Sequence, residues 1–326
     1  MSGRQLLTAV VVFVFASAFF LPASAAAERK ILYVDSYHAS YPWSAGITRG
    51  IEKVLAGDTE IELRIFRMDT KRQPSEEHKI SAAREAKGLI DSWHPDLVIA
   101  SDDNASKYLI VPYFKGSSLP FVFCGVNWDA SDYGFPWPNV TGMIEVQLID
   151  QILDTLEKYA AGRRIAFIKG DDFSARKEAD LFEKRFKIKL DKRFVSDFAA
   201  WKEQYRKLQH DADLLLLGNS VSIKDWDAAA AKAFILETTR IPSGNWDDWM
   251  APFSLVTFAN DPEEQGEWAA RTALKVLAGT PPSAIPIVTN QRAKIFLNME
   301  LARKLGIKFP IELIERATFT SEMGGQ

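Results

Sequence analysis

Polar and aromatic side chains cluster at six places along this chain, most of them directly after an apolar run. Carboxylates and amides there could bond an ammonium group or hydroxyls, and indole rings could stack on a flat ligand. This combination predicts a pocket for a small molecule. The candidate ligand-binding residues are, in chain order, Ser36, Tyr41, Trp43, Ser101, Asp102, Asp103, Asn104, Asn127, Trp128, Asp172, Asn219, Asn245, Trp246 and Asp247.

Several of these residue types have a second explanation. Ser36, Ser101 and Ser220 lie near predicted helix starts, where helix-terminal N–H groups could hold a carboxylate. Asp and Ser are also favoured as helix N-caps whatever the function, and a loop tryptophan often packs against its own lobe. Both explanations stay open for each residue, so the prediction depends on the pattern across all six clusters.

Motifs for catalysis are absent from the sequence. There is no G-x-S-x-G elbow, no H-E-x-x-H zinc pair and no G-x-x-x-x-G-K phosphate loop. Paired aspartates at 102–103 and 171–172 could ligate a metal, but such pairs are common in loops. We therefore predict a binding protein, not an enzyme, with no metal and no cofactor. The four histidines are scattered over the chain: His38, His78, His94 and His210.

The elements that must position these residues alternate between short apolar runs and longer segments of helical period, as in parallel α/β units. Each run is continuously apolar, which is typical of a sheet covered on both faces. The predicted fold class is α/β, with two Rossmann-like lobes of parallel sheet and a ligand cleft between them. Ligands bind beyond the carboxyl ends of such strands. Strands are predicted at 31–34, 61–66, 97–100, 121–123, 165–168, 194–195, 214–217, 253–258 and 294–297.

Residues 1–27 have the pattern of a secretory signal peptide. Arg4 precedes an apolar run over 6–21, Pro22 breaks it, and a small-x-small cleavage pattern follows at 23–25. An uncleaved anchor is the alternative, although the run is shorter than the roughly 20 residues that span a bilayer. The only cysteine, Cys124, lies far downstream, so no lipid can be attached at the new N-terminus. The sequence predicts a protein exported to a bacterial periplasm.

Bulk composition narrows the class further. The chain has 326 residues, 47% of them hydrophobic and 25% charged, which suits a folded protein with two lobes. The formal net charge is -3 and there is no basic patch, so a nucleic-acid partner is not expected. We expect a monomer that binds a small-molecule ligand.

Three stretches carry a resemblance to a known family. The first is Pro120-Phe121-Val122-Phe123 with the later Asn139-Val140-Thr141-Gly142, the second runs over 264–287, and the third over 298–307. Together they resemble the ABC transporter substrate-binding proteins of the type I periplasmic class, in the branch that includes tryptophan and tyrosine binders. The resemblance covers nearly all of the chain beyond the predicted signal peptide.

The resemblance implies how the chain divides. Lobe 1 is expected to comprise 28–142 and 257–285, and lobe 2 to comprise 143–256 and 286–326. Hinges are then expected near Gly142, Val256 and Pro286. A partner follows from the same resemblance, namely an ABC permease in the inner membrane.

The predicted function is that of a periplasmic solute-binding component of an ABC importer, whose lobes close on a small organic ligand. The aromatic loop over 36–43 resembles extracytoplasmic sensing domains of some histidine kinases. A periplasmic sensing protein that serves a separate kinase is therefore the alternative, and a secreted hydrolase is a weaker one. The aromatic rings favour a ligand with a planar or ring portion, and both an aromatic amino acid and a sugar stay open.

Overall fold

The computed structural model describes residues 29–322, and the predicted signal peptide at 1–27 lies outside that range. Two sheets flanked by helices form the fold, and all neighbouring strands but one pair run parallel. The predicted α/β class is confirmed. Among residues 29–322, no helix is both long and apolar enough to cross a membrane.

The first sheet has six parallel strands. They are β1 (Arg29–Asp35), β2 (Ile61–Arg67), β3 (Leu97–Ser101), β4 (Phe121–Asn127), β5 (Val140–Glu145) and β11 (Val288–Thr289), in the spatial order β11-β5-β4-β3-β1-β2. Its helices are α1 (Pro42–Leu55), α2 (Glu76–Trp93), α3 (Asp102–Ala105), α4 (Val111–Tyr113) and α9 (Pro262–Leu277). A π-helical turn, Ser106–Ile110, joins α3 to α4.

The second sheet has seven strands. They are β6 (Ile165–Gly170), β7 (Leu190–Val195), β8 (Leu214–Leu217), β9 (Ser243–Asn245), β10 (Val256–Asn260), β12 (Ala293–Leu297) and β13 (Ala317–Phe319), in the order β13-β12-β10-β9-β8-β6-β7. β12 runs antiparallel to β10, and β13 runs parallel to β12, so these two strands oppose the other five. The helices are α5 (Ile149–Leu156), α6 (Phe173–Phe186), α7 (Phe198–Asp211), α8 (Ala228–Thr238), α10 (Met299–Leu305) and α11 (Ile311–Ile314).

Several segments differ from the predicted pattern, since β5, β11 and β13 are not among the predicted strands. Ser243–Asn245 forms β9 between β8 and β10, although its three residues are too few to show a strand period. The strand predicted over 253–258 begins only at Val256, because Pro252 lies in a 3-10 turn that ends at Phe253. The predicted strands at 31–34 and 214–217 lie inside β1 and β8, where every one of those side chains is fully buried.

Helices α1 and α9 pack closely against each other on the first sheet. A Cβ at Gly266 would come within 2.0 Å of the Ile47 carbonyl oxygen, and one at Gly50 within 2.4 Å of the Glu263 carbonyl oxygen. These glycines therefore permit backbone contact between the two helices. Because α9 follows β10 of the second sheet, this packing brings the chain back to the first sheet.

The chain passes between the two sheets three times. The passages lie between β5 and α5, between β10 and α9, and between β11 and β12. The predicted hinge residues lie beside these passages: Gly142 is inside β5, Val256 begins β10, and Pro286 precedes β11. Strand pairing continues beyond each of these predicted hinge residues, so the passages themselves lie at 146–148, 261 and 290–292. The division into lobes that move against each other stays a prediction.

Candidate functional site

A cleft of about 570 Å³ lies where the two sheets meet, at the ends of several strands. Its volume is within the range of small-molecule pockets. The first sheet side contributes Tyr41, Pro42, Trp43 and Pro262, and the residues beside the passages are Glu145, Gln147, Ala259 and Asn260. The second side contributes Trp246, Asp247, Asp248, Trp249 and Lys294. A smaller hollow of about 300 Å³ lies between α8 and α10, away from these strand ends.

Aromatic rings stand on both sides of the cleft. Trp43 lies in the first turn of α1, which Pro42 begins, and its indole Nε1 donates to Oδ1 of Asp102 at 2.9 Å. Trp246 is 5% exposed and stacks on Phe167, with centroids 6.1 Å apart and planes at 14°. Trp249 is 47% exposed. Two of these indoles are thus held by fixed contacts, and the third is free to meet a ligand.

An ammonium group lies on the aromatic cluster at the edge of the cleft. The rings of Tyr37 and Tyr41 meet edge to face, with centroids 5.3 Å apart. The Nζ of Lys71 lies 4.7 Å from the Tyr37 centroid and 5.0 Å from that of Tyr41. These distances are those of cation–π contacts. The cluster therefore attracts a positive charge.

Carboxylates line the cleft in an enclosed position. Burial raises the pKa of Glu145 to about 7, while the amide of Asn260, which donates to its Oε1 at 2.9 Å, opposes that shift. Burial also raises the pKa of Asp247, opposed by a 3.1 Å hydrogen bond from Asn219 and by the charge of Lys169. A positively charged neighbour would therefore favour the ionised form of each carboxylate and pair with it.

Behind Trp43, Asp102 occupies an unusual environment. It is 2% exposed, has a φ of 69°, and its Oδ2 has no hydrogen-bond partner in the described part of the chain. Burial, with Glu145 and Asp35 nearby, raises the pKa of Asp102 well above its usual range. Burial therefore disfavours the charged form of this carboxyl, which accepts the hydrogen bond that holds the indole in place.

Hydrogen bonds tie the three passages together beneath the cleft. Asn260 donates to Glu145, and Asn290 donates to Oδ1 of Asn260 at 3.1 Å. The fully buried Asn290 also accepts from the Val146 N–H at 2.8 Å and donates to the Val146 carbonyl at 3.1 Å. A single network thus joins Val146 and Asn290, in two of the passages, to Asn260 beside the third, and it includes a carboxylate of the cleft.

Among the predicted site residues, Tyr41, Trp43, Trp246 and Asp247 line the cleft. Asp102 and Asn219 lie behind them, bonded to Trp43 and Asp247. Asp103 accepts from Asn127 at 2.6 Å and from the Tyr133 hydroxyl at 2.7 Å, and its charge raises the pKa of Glu145. The structure brings these residues into one region. Their contact with a ligand stays a prediction.

The other predicted residues have bonds that stabilise the fold. Ser36 and Ser101 are fully buried, and the Ser36 hydroxyl donates to the Ser101 carbonyl at 2.6 Å and accepts from Ala105 at 2.8 Å. Asp172 caps α6 by accepting from the Ala175 N–H at 2.7 Å. The capping explanation applies to Asp172 alone. Ser101 precedes α3 without a side-chain cap bond, and Ser36 bonds the backbone at both ends of that helix.

Two further amides on the predicted set are also engaged inside the protein. Asn104 donates to the Thr70 hydroxyl at 2.8 Å. Asn245 is fully buried, donates to the Leu217 carbonyl and accepts from the Asp247 N–H at 2.5 Å. Asn245 therefore shapes the turn that presents Asp247, and it does not line the cleft itself.

Trp128 connects the two sides of the molecule. It follows β4 with a φ of 62°, and its ring lies 5.7 Å from that of Phe182 on α6. The side chain packs against hydrophobic cores on both sides. Trp128 is thus a contact between the lobes, outside the cleft lining.

Sequence analysis missed several residues of the cleft, chiefly Glu145, Gln147, Trp249, Asn260 and Lys294. Asn260 ends β10, two residues beyond a predicted strand, so a search of that strand end would have found it. Glu145 ends β5, which was not predicted as a strand. Gln147 and Lys294 had no comparable signal. No group of three or more His, Cys, Asp or Glu side chains placed to hold a metal ion occurs within 29–322.

Comparison with known proteins agrees with this geometry. Two α/β lobes around a cleft, joined by three passages, define the type I periplasmic binding protein fold. A sequence profile for ABC transporter substrate-binding proteins matches residues 40–320. The chain belongs to that family, which confirms the predicted resemblance. No match to a curated protein sequence reaches significance.

Solved structures share the fold at low identity. A ligand-free, open substrate-binding protein with adhesive properties from Clostridium difficile has a TM-score of 0.68 at 16% identity, over 90% of this chain and 99% of that one. An ABC domain in complex with L-Trp from Streptococcus pneumonia has a TM-score of 0.54 at 16% identity, with the same coverage. A solute-binding protein from Bacillus halodurans with bound myo-inositol has a TM-score of 0.51 at 9% identity, over 87% and 99%.

Proposed function

We propose that this protein is the periplasmic solute-binding component of an ABC importer, which captures a small organic ligand with a ring portion. The observation that carries the proposal is the cleft between the two sheets, where aromatic rings and carboxylates from both sides face one volume. Aromatic faces stack on flat or ring-shaped molecules, and carboxylates accept bonds from their ammonium or hydroxyl groups.

Two similar structures support a ring-bearing ligand. The Streptococcus pneumonia protein is in complex with L-Trp, and the Bacillus halodurans protein has bound myo-inositol. Both molecules contain rings. Compounds that contain a ring, whatever their charge, are therefore the starting class for ligand identification.

A thermal-shift screen of amino acids, sugars, aromatic acids and amines tests the proposal. A ligand at about 100 times its Kd adds about 2.7 kcal/mol to the free energy of unfolding, which raises the melting temperature measurably. We expect shifts from ring-bearing compounds. Shifts confined to inorganic ions or aliphatic acids would contradict the proposed ligand class.

We propose an inner-membrane ABC permease as the partner and a monomer as the working form. Purified permease and ATPase in proteoliposomes provide the test, because ligand-loaded binding protein should stimulate ATP hydrolysis. Stimulation of a separate histidine kinase instead would favour the sensing alternative. Turnover of model esters or glycosides that is lost when a cleft carboxylate is replaced would contradict the assignment as a binding protein.

A further inference from the structure

We propose that the ligand of this cleft is an organic cation, a ring-bearing molecule with a protonated amine and no carboxylate. This inference rests on the proposed function, because it names the charge class of the ligand for the same cleft. A zwitterionic amino acid and an uncharged polyol are the classes that it excludes.

Carboxylates outnumber ammonium groups in the lining of the cleft. Glu145, Asp247 and Asp248 line it, against Lys294. Lys71 lies at its edge, and Lys169, near Asp247, is paired with Glu178. Asp103 lies close enough to raise the pKa of Glu145, and so does Asp247. Charges of one sign in a concave, enclosed region attract the opposite charge and repel their own. An amine is therefore favoured there, and a ligand carboxylate is opposed.

The serine hydroxyls that were expected to help hold a ligand carboxylate are engaged inside the fold. Ser36 and Ser101, the hydroxyls expected to assist helix N-termini, are fully buried. The Ser36 hydroxyl bonds the Ser101 carbonyl and the Ala105 N–H, and the Ser101 hydroxyl lies 3.1 Å from that of Tyr33. Their partners lie within the fold, so they offer no cradle for a carboxylate in the cleft.

The protein's own ammonium groups already lie on aromatic rings of the cleft. Lys71 lies 5.0 Å from the Tyr41 centroid, and Lys169 lies 6.0 Å from that of Trp246. Tyrosine and tryptophan faces attract cations within about 6 Å of the ring centroid. A ligand amine flanked by Tyr41, Trp43 and Trp249 would gain the same interaction and could pair with Glu145.

The ammonium group of Lys71 would compete with a cationic ligand for Glu145. It is exposed, and its charge lowers the pKa of Glu145. An amine that enters beside Glu145 would be repelled by Lys71. Replacing this lysine with glutamine is therefore expected to strengthen the binding of a cation, whereas a ligand carboxylate would lose a favourable neighbour.

Four indole compounds that differ in charge provide the test. Tryptamine is a cation, L-tryptophan a zwitterion, indole neutral, and indole-3-propionate an anion. Calorimetric titration of the purified protein at about pH 8 should give tryptamine a Kd at least about tenfold lower than that of L-tryptophan, since one charge-assisted bond is worth that factor or more. The anion should bind most weakly.

Four variants, one of them a matched control, assign the effect to named charged groups. Glu145→Gln should weaken tryptamine about tenfold or more and leave indole within about twofold. Glu52→Gln is the matched control, because Glu52 is exposed on α1 and outside the cleft lining. Asp247→Asn repeats the test should Glu145→Gln fail to fold, and Lys71→Gln should lower the Kd for tryptamine.

The outcomes separate this inference from the function on which it rests. Tighter binding of L-tryptophan than of tryptamine overturns the cation class but leaves the ring-binding proposal standing. Equal weakening of all four compounds in Glu145→Gln also overturns it, because the effect would then be structural. Binding of none of the four overturns the cation class, whereas the ring-binding proposal is decided separately by the thermal-shift screen.

Discussion

The indole of Trp43 and the carboxyl of Asp102 are joined by a 2.9 Å hydrogen bond, so an aromatic wall of the cleft is fixed by a group 59 residues away in the chain. Gly125 lies against both, since a Cβ there would be 3.0 Å from Asp102 Oδ1 and 3.4 Å from Trp43 Nε1. The ring is therefore placed before any ligand arrives, which lowers the entropy cost of binding.

Trp43→Phe should destabilise the protein by about 1–3 kcal/mol, because it removes the hydrogen bond to a carboxyl that is 2% exposed. Trp249→Phe is the matched control, as Trp249 lines the same cleft but is 47% exposed. Denaturant unfolding measures both variants. Equal losses would mean that the bond to Asp102 adds nothing to stability.

Asp102→Asn should increase stability more at about pH 8 than at about pH 4. The pKa of Asp102 is raised in the folded state, so the wild type loses stability as pH rises from about 4, the unfolded pKa, towards the folded value. Asparagine keeps an oxygen acceptor, tolerates a positive φ and does not ionise. Melting temperatures across this range test the prediction, and parallel curves for the two proteins would contradict it.

Gly125→Ala should destabilise the protein by more than the roughly 1–2 kcal/mol that a left-handed backbone alone costs a residue with a Cβ. Its φ is 69° and it is crowded by Asp102. Gly57→Ala serves as the control, because Gly57 has a φ of 88° and nothing within 4 Å of an added Cβ. The difference between the two unfolding free energies measures the crowding, and no difference would exclude it.

Asn290→Ala should destabilise the protein by at least about 1–3 kcal/mol, since it leaves the buried Val146 amide group and Asn260 without their partner. Gln151→Ala removes a 2.8 Å bond to the Gln291 carbonyl beside the same passages, but at an exposed position. We expect that control to change stability by no more than about 0.5 kcal/mol. Similar losses from both changes would argue against a central role for Asn290.

The affinity for tryptamine should fall as pH decreases from about 8 to about 6. Burial raises the pKa of Glu145 to about 7, with Asp103 and Asp247 adding to the shift and Lys71 and Asn260 opposing it. Below that pKa the free carboxyl is protonated, so a bound ammonium must displace a proton, at a cost of up to about tenfold in affinity per pH unit. Glu145→Gln should flatten the dependence, and an unchanged slope in that variant would assign it to another group.

Ligand binding should close the two lobes by rotation at the passages over 146–148, 261 and 290–292. Small-angle scattering with and without a saturating ligand from the screen should show a smaller radius of gyration in the bound form. An unchanged radius with a demonstrated ligand would show that the cleft binds without closure.

The fold was predictable because strands such as 214–217 are continuously apolar and fully buried, which only a covered sheet accommodates. The site was predictable only in part. Ser36 and Asp172 have the residue types of a binding loop, yet their polar atoms bond the fold, and residue type alone cannot separate those uses. The network beneath the cleft joins Val146 to Asn290, 144 residues apart, and no local pattern encodes such a contact.

The contact between Trp128 and Phe182 has a consequence for how strongly a ligand appears to bind. Aromatic pairs are worth about 0.5–1.5 kcal/mol beyond the area they bury. A contact of that strength between lobes shifts the ratio of conformers in the resting protein by roughly two- to tenfold. Apparent affinity scales with the fraction of molecules that are competent to bind. On the proposed function, the sensitivity of this protein to scarce solute would therefore depend partly on a tryptophan outside the cleft lining.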